Sequence, residues 1–259
     1  MAKDKTGDIY SKTHQEWKTG FVEDQREFFD SLITQDWDTY FLPQWDVTRQ
    51  IEVKQILSLI PDPKSVLDIG CGCGYHDVLF AQSLKDTKVV GIDNSSKSIE
   101  QANLHYPHPG VERFTIDILN SDDIVKRISS TFDLVTSFQV IEHLSRPQEF
   151  LNSCTKLCSQ NGYIAIVTPN QARLYNRLLA LVGLKPEMID PLHFREYTLN
   201  ELRFMGKKSG LKTVGSFGHT FDLSFKGLRI INANTGFGMN LGIRFPSLAT
   251  VIGVVFQKK

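Results

Sequence analysis

The chain has 259 residues, 41% of them hydrophobic, with 29 lysines and arginines against 29 aspartates and glutamates. That length suits one large α/β domain with a well-buried core, and the even charge balance disfavours the broad positive field of a nucleic-acid binder. The opening MAKDKTGDIY has no apolar signal core and no uninterrupted apolar run approaches a membrane span, so a cytoplasmic protein is expected.

Residues 1–60 are rich in aromatics and are expected to form an N-terminal helical cap. Phe21, Phe28 and Phe29 have helical packing spacing, whereas Tyr10, His14 and Trp17 are placed as lid residues over a ligand. From 61 to 259 hydrophobic runs alternate with helical stretches, with strands predicted at 65–69, 88–92, 112–115, 132–137, 162–168, 212–219 and 250–257. Alternating strand and helix implies a mostly parallel sheet covered on both faces, with its ligand at the C-terminal strand ends.

The first strand runs into VLDIGCGCGYHD at 66–77, where Asp68, Gly70, Gly72 and Gly74 form D-x-G-x-G-x-G. Glycines at this spacing let the chain turn sharply and bring its backbone against a ligand, although a purely steric turn uses them too. A dinucleotide fingerprint would need its third glycine where Tyr75 stands, which disfavours nicotinamide or flavin. The second strand, VVGID, ends in Asp93 at the distance where a βαβ unit places a carboxylate beside a ribose. Its alternative is the N-cap of a helix starting near Ser95, a role open equally to Asn94 and Ser95. The third run ends at Asp117, either an acceptor for an adenine amino group or a loop acid.

In order and spacing, these motifs resemble the class I S-adenosylmethionine-dependent methyltransferases over roughly residues 65–168, more weakly beyond. FDLVTSFQVIEHL at 132–144 looks like the fourth-strand segment of the ubiquinone-biosynthesis O-methyltransferase branch. GYIAIVTPN at 162–170 looks like the fifth strand, and HFREYTLNEL at 193–202 like the opening of the helix before the sixth. The resemblance implies a Rossmann-like doubly wound α/β fold, seven-stranded and mostly parallel with an antiparallel last strand. It also implies S-adenosyl-L-methionine as cofactor and S-adenosyl-L-homocysteine as product. Asp68 and the three glycines would then hold the amino-acid end, Asp93 with Asn94 the ribose, Asp117 and Ile118 the adenine, and Phe138 and Gln139 the wall beside the methionine portion.

With an already activated methyl, the protein must position the acceptor, exclude water and remove a proton. Glu142, His143 and His193 are the candidates; His143 follows the fourth strand and titrates near neutral pH, its alternative being a capping or core histidine. Relatives carrying E-x-x-E-H look like metal binders, but Gln139 stands at the first glutamate, so no divalent metal is expected here.

Two insertions, 171–195 and 221–246, are expected to cover the acceptor. The first is a helix with Leu174, Leu178, Leu181 and Val182 on one face and Arg173 and Arg177 on another; the arginines either grip an anion or, as expected, are solvated. The second, containing NTGFGMNLG, is a loop over the site or a contact with a membrane surface. Cys71, Cys73, Cys154 and Cys158 lack metal-site spacing and are read as reduced packing residues. The expected activity is methyl transfer to a small, lipophilic acceptor, at oxygen. Nitrogen or carbon acceptors, RNA 2′-hydroxyls and a non-catalytic cofactor-binding scaffold are the alternatives.

Overall fold

The first strand, β1 (Ser65–Ile69), shows why a covered sheet forms: Val66, Leu67 and Ile69 are all fully buried although they point to opposite faces. In the computed structural model, which describes residues 44–119, 121–128, 130–190, 193–221, 223–225, 228–231 and 236–259, the sheet continues with β2 (Lys88–Asp93), β3 (Val111–Thr115), β4 (Phe132–Phe138), β5 (Cys158–Pro169) and β6 (Leu211–His219). A hairpin of β7 (Leu223–Phe225) and β8 (Leu228–Ile231) stands apart, and β9 (Val251–Lys258) closes the sheet. The lid residues Tyr10, His14 and Trp17, with Phe21, Phe28 and Phe29, lie outside the described residues.

The seven strands run β3-β2-β1-β4-β5-β9-β6, and β9 is antiparallel to both its neighbours. The expected seven-stranded, mostly parallel α/β sheet with a reversed last strand is what forms. Strand order reverses between β1 and β4, which opens a ligand crevice at their C-terminal ends.

Side chains alternate cleanly between two apolar layers. Val66, Val89, Leu134, Phe138, Val167 and Phe217 meet Val53, Ile56 and Phe80 of α1 (Gln44–Ser58) and α2 (Tyr75–Ser83) on one face. Leu67, Ile69, Val90, Val135, Ile166 and Val254 meet the opposite layer, which includes Phe150 and Leu151 of α5 (Pro147–Leu157). Between these helices in the chain lie α3 (Ser96–His105) and α4 (Ser121–Ile128). The helix starts obey local chemistry. Ser95 caps α3 by accepting from the Ser98 N–H at 3.0 Å, and Pro147 opens α5. α7 (Leu199–Lys208) starts with a capping box, in which Thr198 and Glu201 satisfy each other's backbone N–H.

The structure departs from the sequence reading in three places. β5 begins at Cys158, four residues before the expected 162, because Cys158 pairs with Phe132 ahead of a register shift. The segment 221–246 is not a structureless loop: it holds the β7–β8 hairpin and α8 (Gly236–Arg244). A Cβ on Gly242 would stand 2.5 Å from the His219 carbonyl carbon, so that glycine serves close packing on the end of β6. Finally, α6 (Leu174–Leu181) turns Leu178 and Leu181 outward, and Val182 after it is also exposed. Among the described residues no helix is long and apolar enough to cross a membrane.

Candidate active site

The glycine loop leaves β1 through left-handed backbone at Gly70, Gly72 and Gly74, with φ of +76°, +51° and +74°. At Gly70 the conformation and the space both demand glycine, because a Cβ would penetrate the Val140 side chain that follows β4. The loop is tied to the second strand: the Gly70 and Cys71 N–H groups donate to the Ile92 carbonyl. The Gly72 N–H donates to Asp93 Oδ2 at 2.9 Å.

Every residue expected to hold the cofactor lies along this one edge. Asp68 is buried at the end of β1, its Oδ1 accepting from Thr136 Oγ1 at 2.8 Å. Asp93 is half-buried and spans the loop and the next helix, its Oδ1 accepting from the Ser95 N–H at 2.9 Å. The helix cap itself is Ser95, which leaves Asp93 to the loop side. Asn94 Oδ1 accepts from the Ile118 N–H at 2.8 Å, holding the adenine candidates Asp117 and Ile118 beside the ribose candidate. Asp117 is exposed and Ile118 buried. Phe138 is a core residue under α2, its ring stacked on His76 at 3.7 Å. Gln139 is exposed and left-handed, with φ +55°. A non-glycine residue held there is strained, as is common where backbone is shaped for a ligand.

The chemistry-bearing side chains gather just beyond. A 3-10 turn, Ile141–His143, carries Glu142 and His143, and the Phe194 N–H donates to the Glu142 carbonyl, docking the 193–195 segment against it. The His143 and His193 rings meet edge to face with centroids 4.8 Å apart. Glu142 is fully buried; Thr168 donates to its Oε2 at 2.8 Å, and Oε1 meets no donor among the described residues. Burial pushes the Glu142 carboxyl up to about 7, against the opposing pull of its own backbone N–H and of His193. Glu196 is held below the usual carboxylate range: burial raises it, but His193, the Ile189 N–H and Arg173 together outweigh that. An ionised Glu196 only accepts, so the His193 Nδ1 at 3.1 Å donates to it and Nε2 is left as the basic nitrogen.

This arrangement corrects the reading of Arg173, which is neither solvated nor at a ligand. It is 6% exposed and bonds Glu196 at 2.5 Å, so its charge is spent on orienting His193 through Glu196. Arg177 is exposed and donates to the Ala172 and Ser247 carbonyls. Cys71, Cys154 and Cys158 are buried, Cys73 is partly so, and all four are free thiols; burial pushes the Cys154 thiol up, with Cys158 raised to about 12.

The family model described as a methyltransferase domain matches residues 61–205, more than half of the chain. The chain belongs to the S-adenosylmethionine-dependent methyltransferases. It is 30% identical over 164 residues to the ubiquinone biosynthesis O-methyltransferase of Chromobacterium violaceum, covering 60% of this chain and 68% of that protein. The protein of the same name from Nitrosomonas europaea is 26% identical over 209 residues, covering 76% of this chain and 85% of that one. Among solved structures, a magnesium protoporphyrin IX methyltransferase from Synechocystis with bound S-adenosylhomocysteine superposes with a TM-score of 0.58 at 15% identity, covering 90% of this chain and 98% of that one. A likeness at that identity concerns the fold alone.

Three features of this methyltransferase were not legible beforehand. Asp77, in the first turn of α2, pairs with Arg113 of β3 at 2.8 Å, both fully buried. Glu52 of α1 accepts from His76 at 2.7 Å and from His219 at 2.9 Å, joining α1 to the glycine-loop helix and to the end of β6. α1 also brings Arg49 over the ring of Tyr75, the residue that follows the glycine loop, 5.2 Å from its centroid. Asp77 sat inside the quoted motif, and a buried acid so close to a nucleotide loop was the available signal.

Proposed function

We propose that this methyltransferase transfers the cofactor's methyl group to a hydroxyl oxygen of a small organic acceptor. The observation that carries the reading is the pairing of His143, in the turn that follows the strained Gln139, with a His193 whose tautomer Glu196 fixes. When bound, the cofactor supplies a methyl on a sulfonium, ready for direct displacement. Asp68 and the glycine loop hold its amino-acid end, Asp93 its ribose, and Asp117 with Ile118 its adenine. His193, or His143 against it, takes the acceptor's hydroxyl proton as the oxygen attacks. Buried Glu142 adjoins both histidines through the backbone, preceding His143 in the turn and accepting at its carbonyl from the Phe194 N–H next to His193. Relatives named for O-methylation in ubiquinone biosynthesis support oxygen as the methylated atom. The exposed leucines of α6 support an apolar acceptor.

Incubation with labelled S-adenosylmethionine and a panel of phenolic acceptors tests this. His193→Gln is expected to lower kcat by about 100-fold or more while S-adenosylhomocysteine still binds; unchanged kcat would remove the histidine from the mechanism.

A second reading has one observation in its favour. Glu142, His143 and His193 each offer one ligating atom, all within 4.8 Å of one another, a donor set that fits a divalent cation. Gln139 in place of a glutamate takes away an anionic ligand and weighs against it. Full activity in chelator assigns the three residues to proton transfer alone; loss restored by added magnesium or zinc assigns them to a cation.

A further inference from the structure

Beneath the glycine loop, two buried carboxyl groups face each other with no donor between them. Asp68 is 1% exposed and Asp77 is fully buried. Each commits one oxygen to a donor, Asp68 Oδ1 to Thr136 Oγ1 at 2.8 Å and Asp77 Oδ2 to Arg113 Nε at 2.8 Å. The other two oxygens, Asp68 Oδ2 and Asp77 Oδ1, meet no donor among the described residues. The sheet register places the two carboxyl groups side by side, because Asp68 pairs with Gly91 and Asp77 Oδ2 lies directly over Gly91. Two carboxylates cannot bond, whereas an acid and a carboxylate can. One proton therefore satisfies both orphan oxygens.

The neighbours decide where that proton sits. Around the pair stand Cys71 from the loop, His76 from α2, Asp93 from β2, Arg113 from β3 and the Thr136 hydroxyl from β4. Arg113 is bonded to Asp77 and also grips the Gly74 and Tyr106 carbonyls, each at 3.1 Å, so Asp77 keeps the negative charge. Burial, then the Asp77 charge, pushes the Asp68 carboxyl well above the usual range, against the Thr136 bond. The sheet makes room for the second acid: a Cβ on Gly91 would stand 2.5 Å from Asp77 Oδ2 and 2.9 Å from Cys71 Sγ.

We propose that Asp68 and Asp77 share one proton in the cofactor-free protein, that the arriving ammonium of the cofactor displaces it to solvent, and that Asp77 is thus a positioning residue for cofactor binding. This rests on the reading that Asp68 and the glycine loop receive the cofactor's amino-acid end. The charges balance at each stage. Before binding, a neutral Asp68 acid and the Asp77 carboxylate stand with Arg113. Afterwards two carboxylates stand with Arg113 and the ammonium, which replaces the lost proton as donor to Asp68.

The test is calorimetric titration with S-adenosylhomocysteine, which carries the same ammonium, in buffers of differing ionisation enthalpy. Wild type is expected to release about one proton per site at most, and affinity to tighten by up to about tenfold per pH unit while Asp68 titrates. In Asp77→Asn the amide N–H takes the place of the shared proton and the amide oxygen still accepts from Arg113, so the net charge of the buried trio is unchanged. That variant is expected to bind without proton release and with a flat pH dependence.

Equal release by both proteins, or none by wild type, would overturn the inference while leaving the cofactor site standing. No binding at all would overturn the site as well. Difference infrared on wild type alone gives a second reading, independent of whether the variant folds: ligand addition is expected to remove one protonated-carboxyl band beyond whatever buried Glu142 contributes, and a difference spectrum with no loss in that region refutes the shared proton.

Discussion

Replacing Glu52 by glutamine probes how firmly the described end of the N-terminal segment is fastened to the catalytic domain. Glu52 is 5% exposed and accepts from two imidazoles, 2.7 Å from His76 and 2.9 Å from His219. Burial alone would raise its carboxyl, but the bonds from His219 and His76 prevail and bring it down from an ordinary 4.5 to about 2. At 1.36 kcal/mol per pKa unit, that preference for the ionised form is worth about 3 kcal/mol. A lowered folded-state value means the stabilisation is present above the unfolded carboxyl's 4.5 and fades as pH falls toward 2. Glutamine has the shape of the protonated acid, so Glu52→Gln is expected to lose about 3 kcal/mol in urea unfolding at neutral pH, with the gap narrowing below about pH 4.5. A difference under about 0.5 kcal/mol at neutral pH, or one that does not change with pH, would refute the assignment of a charged clamp.

Gly70→Ala combines a left-handed backbone with a clash against Val140 and is expected to cost about 2–5 kcal/mol, seen as a lowered Tm before any ligand is added. Asp93→Ala removes the acceptor for the Gly72 N–H together with the proposed ribose ligand and is expected to weaken S-adenosylhomocysteine binding by about 1–3 kcal/mol in a calorimetric titration. An unchanged Kd would confine Asp93 to shaping the loop. Glu196→Gln leaves the Arg173 guanidinium buried without its counter-charge and is expected to destabilise by about 3–5 kcal/mol in denaturant melts.

The sheet and the edge that carries the candidate cofactor residues were readable because they are local. Apolar runs buried on two faces mark β1, β2, β4 and β5 without any knowledge of their partners, and Asp68, Asp93 and Asp117 mark the strand ends. What escaped depends on residues far apart in the chain. Asp77 and Arg113 are 36 positions apart, and Glu52 and His219 are 167. Arg113 sits in an alternating VERFT strand, where a charge reads as solvent-facing; only the fold reveals that it is buried under α3. The burial of Arg173 was misread for the same reason, since Glu196 lies beyond the irregular segment that follows α6. α8 was missed because GFGMNLG has poor helix propensity, and its Gly242 answers to the backbone of β6 at a distance no local pattern encodes.

The one reversed strand has a consequence for how the molecule is made. β9 bonds to β5 along one side and β6 along the other, yet it follows both in the chain. During synthesis from the N-terminus, β6 therefore has α1 and α7 to pack against but no strand to join it to the rest of the sheet until 251–258 has been made. The parallel strands β1 to β5 can pair earlier, so the joining of β6 to the sheet is by topology the last of the strand pairings, and until then an unpaired strand edge stays open to wrong partners.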